Sequence, residues 1–525
     1  MSALLALLSL CASLARAATA EQWRGRSIYQ VIVDRFASPN GTEAANCDPG
    51  AHTFCGGTWN SLRQNLDYIE GMGFTAVWIS PISKNIEEST AYGDAYHGYW
   101  VTDISRLNDR FGTADDLKAL ADELHKRNMY LMVDVVVNNV VSTSLEPDYS
   151  QYFFKNESQY HPYCQIRWGD RESEQHCWMG DKNLTLPDVD TEDPAVVQQY
   201  NSWISGLVQE YGIDGLRIDG ASHVRGDFWP GFCEAAGVFC IGEVYTSQSL
   251  EYTPVMDSVL NFPAYHSLVS AFQIPGPQNM SALADNFSQS KAKVNASTTL
   301  VLGNFLENQD VPRWANISVD PQSLYNALTY TFMYDGIPVV YYGQEQGMHG
   351  ASDPWNREAL WSSGYANTTT YALIAKLNSF RKFLAAQHPE WLSTQASLLT
   401  LTQNHIAFIK GPTIAILTNI GSPPQNTSVA VYTPFQPNVA TTDILSCTQF
   451  ATGSDSTVSV EYSSGGRPVV LMPSAYLYGS GFCGHEAGTT AAPTGSSGAA
   501  QARSSDTGIV QFLAIMLGVC AFLSL

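Results

Sequence analysis

The sequence predicts an α/β fold: a (β/α)8 TIM barrel with a small domain inserted after its third strand and an antiparallel β domain behind it. Three observations carry this expectation. Eight short apolar runs, at 28–33, 74–79, 130–136, 215–218, 238–242, 255–260, 300–306 and 337–342, alternate with amphipathic stretches. Eight strands alternating with helices are the pattern of a closed parallel barrel. Three acids, Asp219 in GIDGLRID, Glu243 in IGEV and Asp310 in FLENQD, each follow such a run. The carboxyl ends of barrel strands converge on one face, so the three side chains are expected on one rim. After about residue 391 the texture changes to short alternating segments at 405–410, 413–419, 428–432, 457–462 and 468–472, which read as an antiparallel β domain.

Taken in order, residues 1–20 carry an apolar stretch (4–14) followed by small residues. This reads as a secretory signal, although no positive side chain precedes the apolar stretch. The barrel is expected over 21–139 and 194–390, with helical patterns such as 114–127 and 194–211. Between them, 140–193 is rich in aromatic and polar residues and holds one cysteine pair. A structureless loop of that length does not suit a compact domain, so it is read as an inserted domain at the catalytic rim. The β domain covers 391–484, and a Gly/Ala/Ser/Thr-rich stalk covers 485–507. An apolar run, 508–525, reaches the last residue behind a polar spacer (501–507) and small residues (496–499). That order is the pattern of a GPI-attachment signal, whose tail is removed. A tail-anchored membrane helix is the other reading of the same run.

With 525 residues the chain can bury a large core, and its net charge of −22 argues against nucleic acid and against electrostatic docking on anionic lipid. A secreted monomer is expected, attached to the membrane through the lipid anchor. Cys11 and Cys520 fall in the segments expected to be removed, and the other eight of the ten cysteines suit disulfides in an oxidising compartment. Proximity in the sequence pairs Cys47 with Cys55, Cys164 with Cys177, Cys233 with Cys240 and Cys447 with Cys483. No second Cys/His pair stands at ligand spacing, so a zinc site is not expected. Nine Asn-X-Ser/Thr sequons, at Asn40, Asn156, Asn183, Asn279, Asn286, Asn295, Asn316, Asn367 and Asn426, agree with passage through the secretory pathway.

A lone Asp after a strand is most often a helix cap. Three carboxylates delivered to one rim instead suggest the acid, nucleophile and helper that cleave a glycosidic bond. Retention of configuration needs a carboxylate about 5 Å from a carboxylic acid across the scissile bond. Arg217, two residues before Asp219, is suited to keeping that nucleophile ionised, and a structural ion pair is its plainer role. Glu243 must be protonated before cleavage, which calls for a less polar setting and neighbouring negative charge.

The words AYGDAYHGYW (91–100), DVVVNN (134–139), GLRID (215–219), GEV and FLENQD occur in an order and spacing that resemble the α-amylase family of retaining glycoside hydrolases. The resemblance runs from about residue 22 to 483 and is nearest to secreted fungal α-amylases. With the terminal pattern it is nearest to the GPI-anchored fungal α-glucanotransferases and amylase-like proteins. It implies Asp219 as nucleophile, Glu243 as general acid/base and Asp310 as transition-state stabiliser. It also implies that His97, Tyr99 and Trp100 line the sugar site, that Asp353 and Arg357 hold the non-reducing side, and that His223 lies toward the acceptor. A structural Ca²⁺ would be held by the Asn138 and Asp188 side chains and by backbone carbonyls near Gln175 and His223.

Three departures stand out. Asn139 and Gln309 occupy positions where most family members have the His that bonds the sugar being cleaved, and Ser222 stands in place of a usual Lys. Losing good bonds there costs roughly 1–3 kcal/mol each, whereas losing a catalytic carboxylate costs on the order of 10⁴ in rate. The expected protein is therefore a cell-surface enzyme on α-1,4-glucan or maltooligosaccharides, with transfer at least as important as hydrolysis. A predominantly hydrolytic α-amylase and a weakly active glucan-binding wall protein are the alternatives.

Overall fold

The computed structural model describes residues 18–39, 47–246 and 248–485. The leader up to residue 17, and the stalk and apolar tail from 486 onward, lie outside the described residues. Among these, eight parallel strands form the barrel. They are β1 Ile28–Val31, β2 Ala76–Ile79, β3 Tyr130–Val136, β4 Gly215–Asp219, β5 Phe239–Gly242, β6 Ser258–Val259, β7 Gly303–Asn304 and β8 Ile337–Tyr341. Their order is β6-β5-β4-β3-β2-β1-β8-β7, and a parallel bridge from Leu260 to Gly303 joins the two ends. The expected barrel is present, and it is closed.

Helix signals in the sequence act where they stand. Helix α1, Ala114–Lys126, begins with a capping box between Thr113 and Asp116 and buries Leu117, Leu120, Ala121 and Leu124 against the sheet. Helix α2, Pro194–Tyr211, is capped by Asp193 and starts with proline at N1. It stops at Gly212, whose φ of 63° is the left-handed conformation that glycine takes without penalty.

Two strands are much shorter than their apolar runs. Before β6, Asp257 accepts the Cys240 N–H at 2.9 Å instead of the chain extending. Before β7, the turn of helix Ala296–Thr299, capped by Asn295, carries the chain to Leu300. Side chains strengthen the short seam. Ser258 Oγ donates to the Val301 carbonyl at 2.7 Å, Asn261 Nδ2 to Asn304 Oδ1 at 2.9 Å, and Asn304 Nδ2 to the Asp335 carbonyl at 2.6 Å. A Cβ on Gly303 would lie 2.6 Å from Ile241 Cδ1, so the strands pack closely there because that residue has no side chain.

The insert is held by the ladder of Met179–Asp181 with Leu184–Leu186, by bridges Asn139–Asp188, Ser142–Thr185 and Tyr160–Val189, and by the disulfide Cys164–Cys177. Disulfides also join Cys47 to Cys55 and Cys447 to Cys483. Cys233 and Cys240 do not pair, contrary to the expectation. Cys240 sits buried on β5 with its thiol toward the Val238 carbonyl at 3.7 Å, while Cys233 lies on helix Trp229–Ala236. The two thiols lie close enough to interact but are not joined.

The C-terminal domain contains β9 Ser397–Leu401, β10 His405–Lys410, β11 Thr413–Thr418, β12 Ser428–Tyr432, β13 Ala440–Asp443, β14 Gln449–Ala451, β15 Thr457–Glu461 and β16 Val469–Pro473. One sheet runs β9-β10-β11-β16-β13-β14, and β12 pairs with β15. It is tied to the barrel by a buried ion pair from Lys410 to Asp335 at 2.8 Å. Asn326 adds a donor to the Gly466 carbonyl and an acceptor for Thr418 N–H. Among the described residues no helix is long and apolar enough to cross a membrane.

Candidate active site

Register sets the site. Strand β4 pairs with β3 from Met132–Gly215 through Val136–Asp219, and with β5 from Gly215–Phe239 through Ile218–Gly242. The Glu243 N–H then donates to the Ile218 carbonyl at 2.8 Å, bringing Glu243 to the rim beside Asp219. Residues two apart on a strand share a face, so Arg217 lies beneath Asp219.

Its fully buried guanidinium touches three carboxylates. One nitrogen donates to both Asp134 oxygens, at 2.9 and 2.8 Å, and to Asp219 at 2.7 Å. The other pairs with Glu243 at 2.9 Å. Trp78 and Tyr99 rings flank it at 5.3 and 5.8 Å. Burying a charge costs several kcal/mol unless it is paired, and here one cation serves three anions. The surplus of negative charge shows in the acids. Burial pushes Asp134 up to about 7 against the pull of Arg217. Burial also raises Asp219, with the Glu243 charge adding to it and Arg217 opposing. Asp310, though 36% of its side chain meets solvent, is raised by desolvation among the surrounding protein groups and by Glu243, against Arg357 and Arg217. Glu243 also accepts the Gly220 N–H at 3.0 Å.

Asp310 reaches the rim through a turn in which Asn308 Oδ1 accepts the N–H groups of Asp310 and Val311. Arg357 approaches Asp310 at 3.5 Å and pairs with Asp353 at 3.0 Å. His97 is buried; its Nδ1 accepts the Tyr99 N–H at 3.0 Å, and its ring lies edge-on to Trp100 at 4.5 Å. Burial holds His97 well below the usual imidazole range, so it is neutral.

Two of the three departures, Gln309 and Asn139, are bonded within the protein. Gln309 is 2% exposed. Its Oε1 accepts from Gln30 at 2.6 Å and its Nε2 donates to Tyr99 Oη at 3.0 Å. Tyr99 in turn donates to Asp134 at 2.8 Å. Asn139 donates to the Val140 carbonyl and accepts from Asn138. Both amides, expected to bond sugar, each make one donated and one accepted contact within the protein. An amide offers a donor and an acceptor at one end, which is what bridging two neighbours requires.

His223 closes the short helix Ala221–His223. Its Nδ1 shares a hydrogen bond with the Glu174 carbonyl at 2.9 Å, and Gln175 donates to the Val224 carbonyl. The insert therefore packs on the segment after β4. Asn138 and Asp188 meet nearby, both buried. Asp188 Oδ2 is 2.5 Å from His161 Nδ1, while Oδ1 is buried with no hydrogen-bond partner. A buried carboxylate oxygen left bare beside an asparagine and backbone carbonyls fits a hard, oxygen-seeking cation.

Sequence reasoning passed over several rim residues. Asp134 was visible as a charge inside an apolar run. Tyr245, Trp168 and Trp355 are large aromatic residues left exposed. Trp168 lies edge-on to His223 at 5.9 Å.

Comparison with known proteins places this geometry. Residues 30–377 match the family model for the α-amylase catalytic domain, and 398–491 match α-amylase domain C. The chain is 41% identical over 481 residues to α-amylase 2 of Schwanniomyces occidentalis, covering 89% of this chain and 94% of that protein. It is 48% identical over 371 residues to α-amylase 1 of Lipomyces kononenkoae, covering 69% of this chain but 59% of that longer protein. The solved α-amylase of Malbranchea cinnamomea superposes with a TM-score of 0.85 at 43% identity, covering 89% of this chain and all of that one. The chain belongs to the α-amylase family of retaining glycoside hydrolases.

Proposed function

We propose that the protein acts on α-1,4-glucans at the cell surface as a GPI-anchored 4-α-glucanotransferase with some hydrolysis. Asp219 attacks the anomeric carbon from below while the glycosidic bond breaks toward its oxygen, which takes a proton from Glu243. Asp310 favours the oxocarbenium-like ring between these events. Glu243, now a carboxylate, takes the proton of the incoming hydroxyl, and that oxygen displaces Asp219. Arg217 keeps a hydrogen bond on Asp219 and an ion pair with Glu243, which holds the two acids beside one cation. Asp353 and Arg357 hold the non-reducing side, with His97, Tyr99 and Trp100 lining the donor site. Asn138 and Asp188, with carbonyls near Gln175 and His223, would hold a Ca²⁺ that pins the insert to the barrel.

The observation that favours transfer is the engagement of Gln309 and Asn139 by protein groups. The donor sugar receives fewer bonds at the reacting ring, so turnover draws more on sugars bound further away. An acceptor sugar resting near His223 and the exposed Trp168 then has an advantage over water. The secretory leader and the terminal apolar run support surface attachment.

The named relatives are α-amylases, and this favours a second reading, predominantly hydrolytic. A time course on one pure maltooligosaccharide separates the two. Transfer gives products longer and shorter than the input with little gain in reducing ends. Shorter products alone, with reducing ends rising in step, would establish hydrolysis and reject the transferase. Release from membranes by phosphatidylinositol-specific phospholipase tests the anchor, and a mature protein that still carries its apolar tail would reject it.

A further inference from the structure

We propose that His161, His176 and Glu192 form a binding site for a divalent transition-metal ion of the zinc class, beside the Asn138–Asp188 calcium position but built from different ligand atoms. Each residue offers one ligand atom, and these atoms lie within 4.8 Å of one another. His161 Nε2 is 2.9 Å from Glu192 Oε2, and His176 Nε2 is 3.6 Å from Glu192 Oε1. The two imidazoles meet edge to face at 4.7 Å. Zinc bonds of about 2.0–2.2 Å in a tetrahedron place ligand atoms roughly 3.3–3.5 Å apart. The cluster is already near that size.

The outer side of each ring supplies the stronger argument. His161 Nδ1 faces Asp188 at 2.5 Å and His176 Nδ1 faces Glu172 at 3.3 Å. Both rings therefore have a carboxylate beside the far nitrogen; for His161 it is a hydrogen bond to buried Asp188, which turns Nε2 toward the common point, and for His176 it is an ion pair with the exposed Glu172. Metal-ligating histidines are held in this way. Asp190, 3.6 Å from His161 Nε2, is a further oxygen beside the point. The competing cation is Arg225, 3.8 Å from Glu192, which is itself closer to Asp227 at 3.2 Å. The His161 and His176 side chains keep 13% and 30% exposure, so an ion can enter from solvent. Two imidazoles and a carboxylate select zinc or copper over calcium, which takes oxygen ligands. The ligands are dispersed along the chain and share no cysteine, so spacing alone did not reveal them. Glu192 stands just before Asp193, the cap of α2, and both histidines lie earlier in the insert, so a bound ion would tie the end of the insert to its body.

Tag-free protein in saturating calcium chloride, titrated with zinc sulfate by calorimetry and followed by thermal unfolding, tests the site. One equivalent of zinc should bind saturably and raise the melting temperature through native-state binding. His176→Ala and Glu192→Gln should each weaken binding by about tenfold or more and remove the thermal shift. Neither substitution touches Asp188 directly, and Glu192→Gln retains the shape if His176→Ala fails to fold. No saturable binding by the wild type, or equal affinity in wild type and folded variants, would overturn the site.

Discussion

Replacing Arg217 by methionine would remove the one cation shared by Asp134, Asp219 and Glu243 while keeping an apolar stem between Trp78 and Tyr99. Hydrogen bonds to charged groups contribute about 1.5–3 kcal/mol each, and removing one member of a buried ion pair costs about 3–5 kcal/mol. Three anions lose their partner at once, but some of that loss is recovered when an acid takes up a proton. We expect a net loss of about 3–5 kcal/mol near pH 8. The pH dependence has a definite sign. Asp134 and Asp219 are already raised in the folded protein. The stability tied to a raised carboxylate is fully present below its unfolded value near 4 and is lost as pH rises through the folded value, about 7 for Asp134. Without Arg217 both are raised further, so the deficit against wild type should be largest at pH 8 and shrink toward pH 5. Urea unfolding at the two pH values, in calcium, measures it. An equal deficit at both, or one below about 1 kcal/mol, would show that the guanidinium does not neutralise this cluster. Arg217→Lys should fall between, because an ammonium cannot fork to acids on two sides.

Asp219→Asn should lower turnover by about 10⁴ or more and leave the melting temperature equal to wild type or above it, since one crowded negative charge is gone. A purified variant retaining more than a few per cent of activity would reject the nucleophile assignment. Chelation should lower the melting temperature by removing a ligand of the native state, and an unchanged value with no calcium by elemental analysis would remove that site. Alkylation without reductant should label Cys240 only after unfolding, because its thiol is buried; failure to label Cys233 and Cys240 in the unfolded chain would mean that they are joined.

The barrel was legible because buried parallel strands are continuous apolar runs and their helices carry caps such as Thr113 and Asp193. The runs at 255–260 and 300–306 misled on strand length. An apolar residue buried beside a strand reads the same as one within it, and Phe305 is buried by stacking on Tyr265 rather than by a ladder. At the rim, motif words located the three acids. They did not show that Arg217 reaches Glu243, because that contact depends on the register between β4 and β5. The engagement of Gln309 was hidden for a similar reason. Its partners, Gln30 and Tyr99, lie 279 and 210 residues away.

The closure between β6 and β7 also bears on how the enzyme would lose activity. Strand β3 meets β4 over five residue pairs, while β6 meets β5, and β7 meets β8, over two each. Regions with few ladder bonds open at lower free energy than the whole molecule. Glu243 follows β5 and Asp310 follows β7, so between their supports lies β6, which with β7 has the fewest ladder pairs of the ring. Opening there would separate Glu243 from Asp310 while β1 to β4 stay folded. Amide hydrogens at 258–260 and 303–304 should then exchange ahead of those at 132–136. Heat inactivation would follow that local event, and the temperature at which catalysis fails would lie below the one at which the core melts.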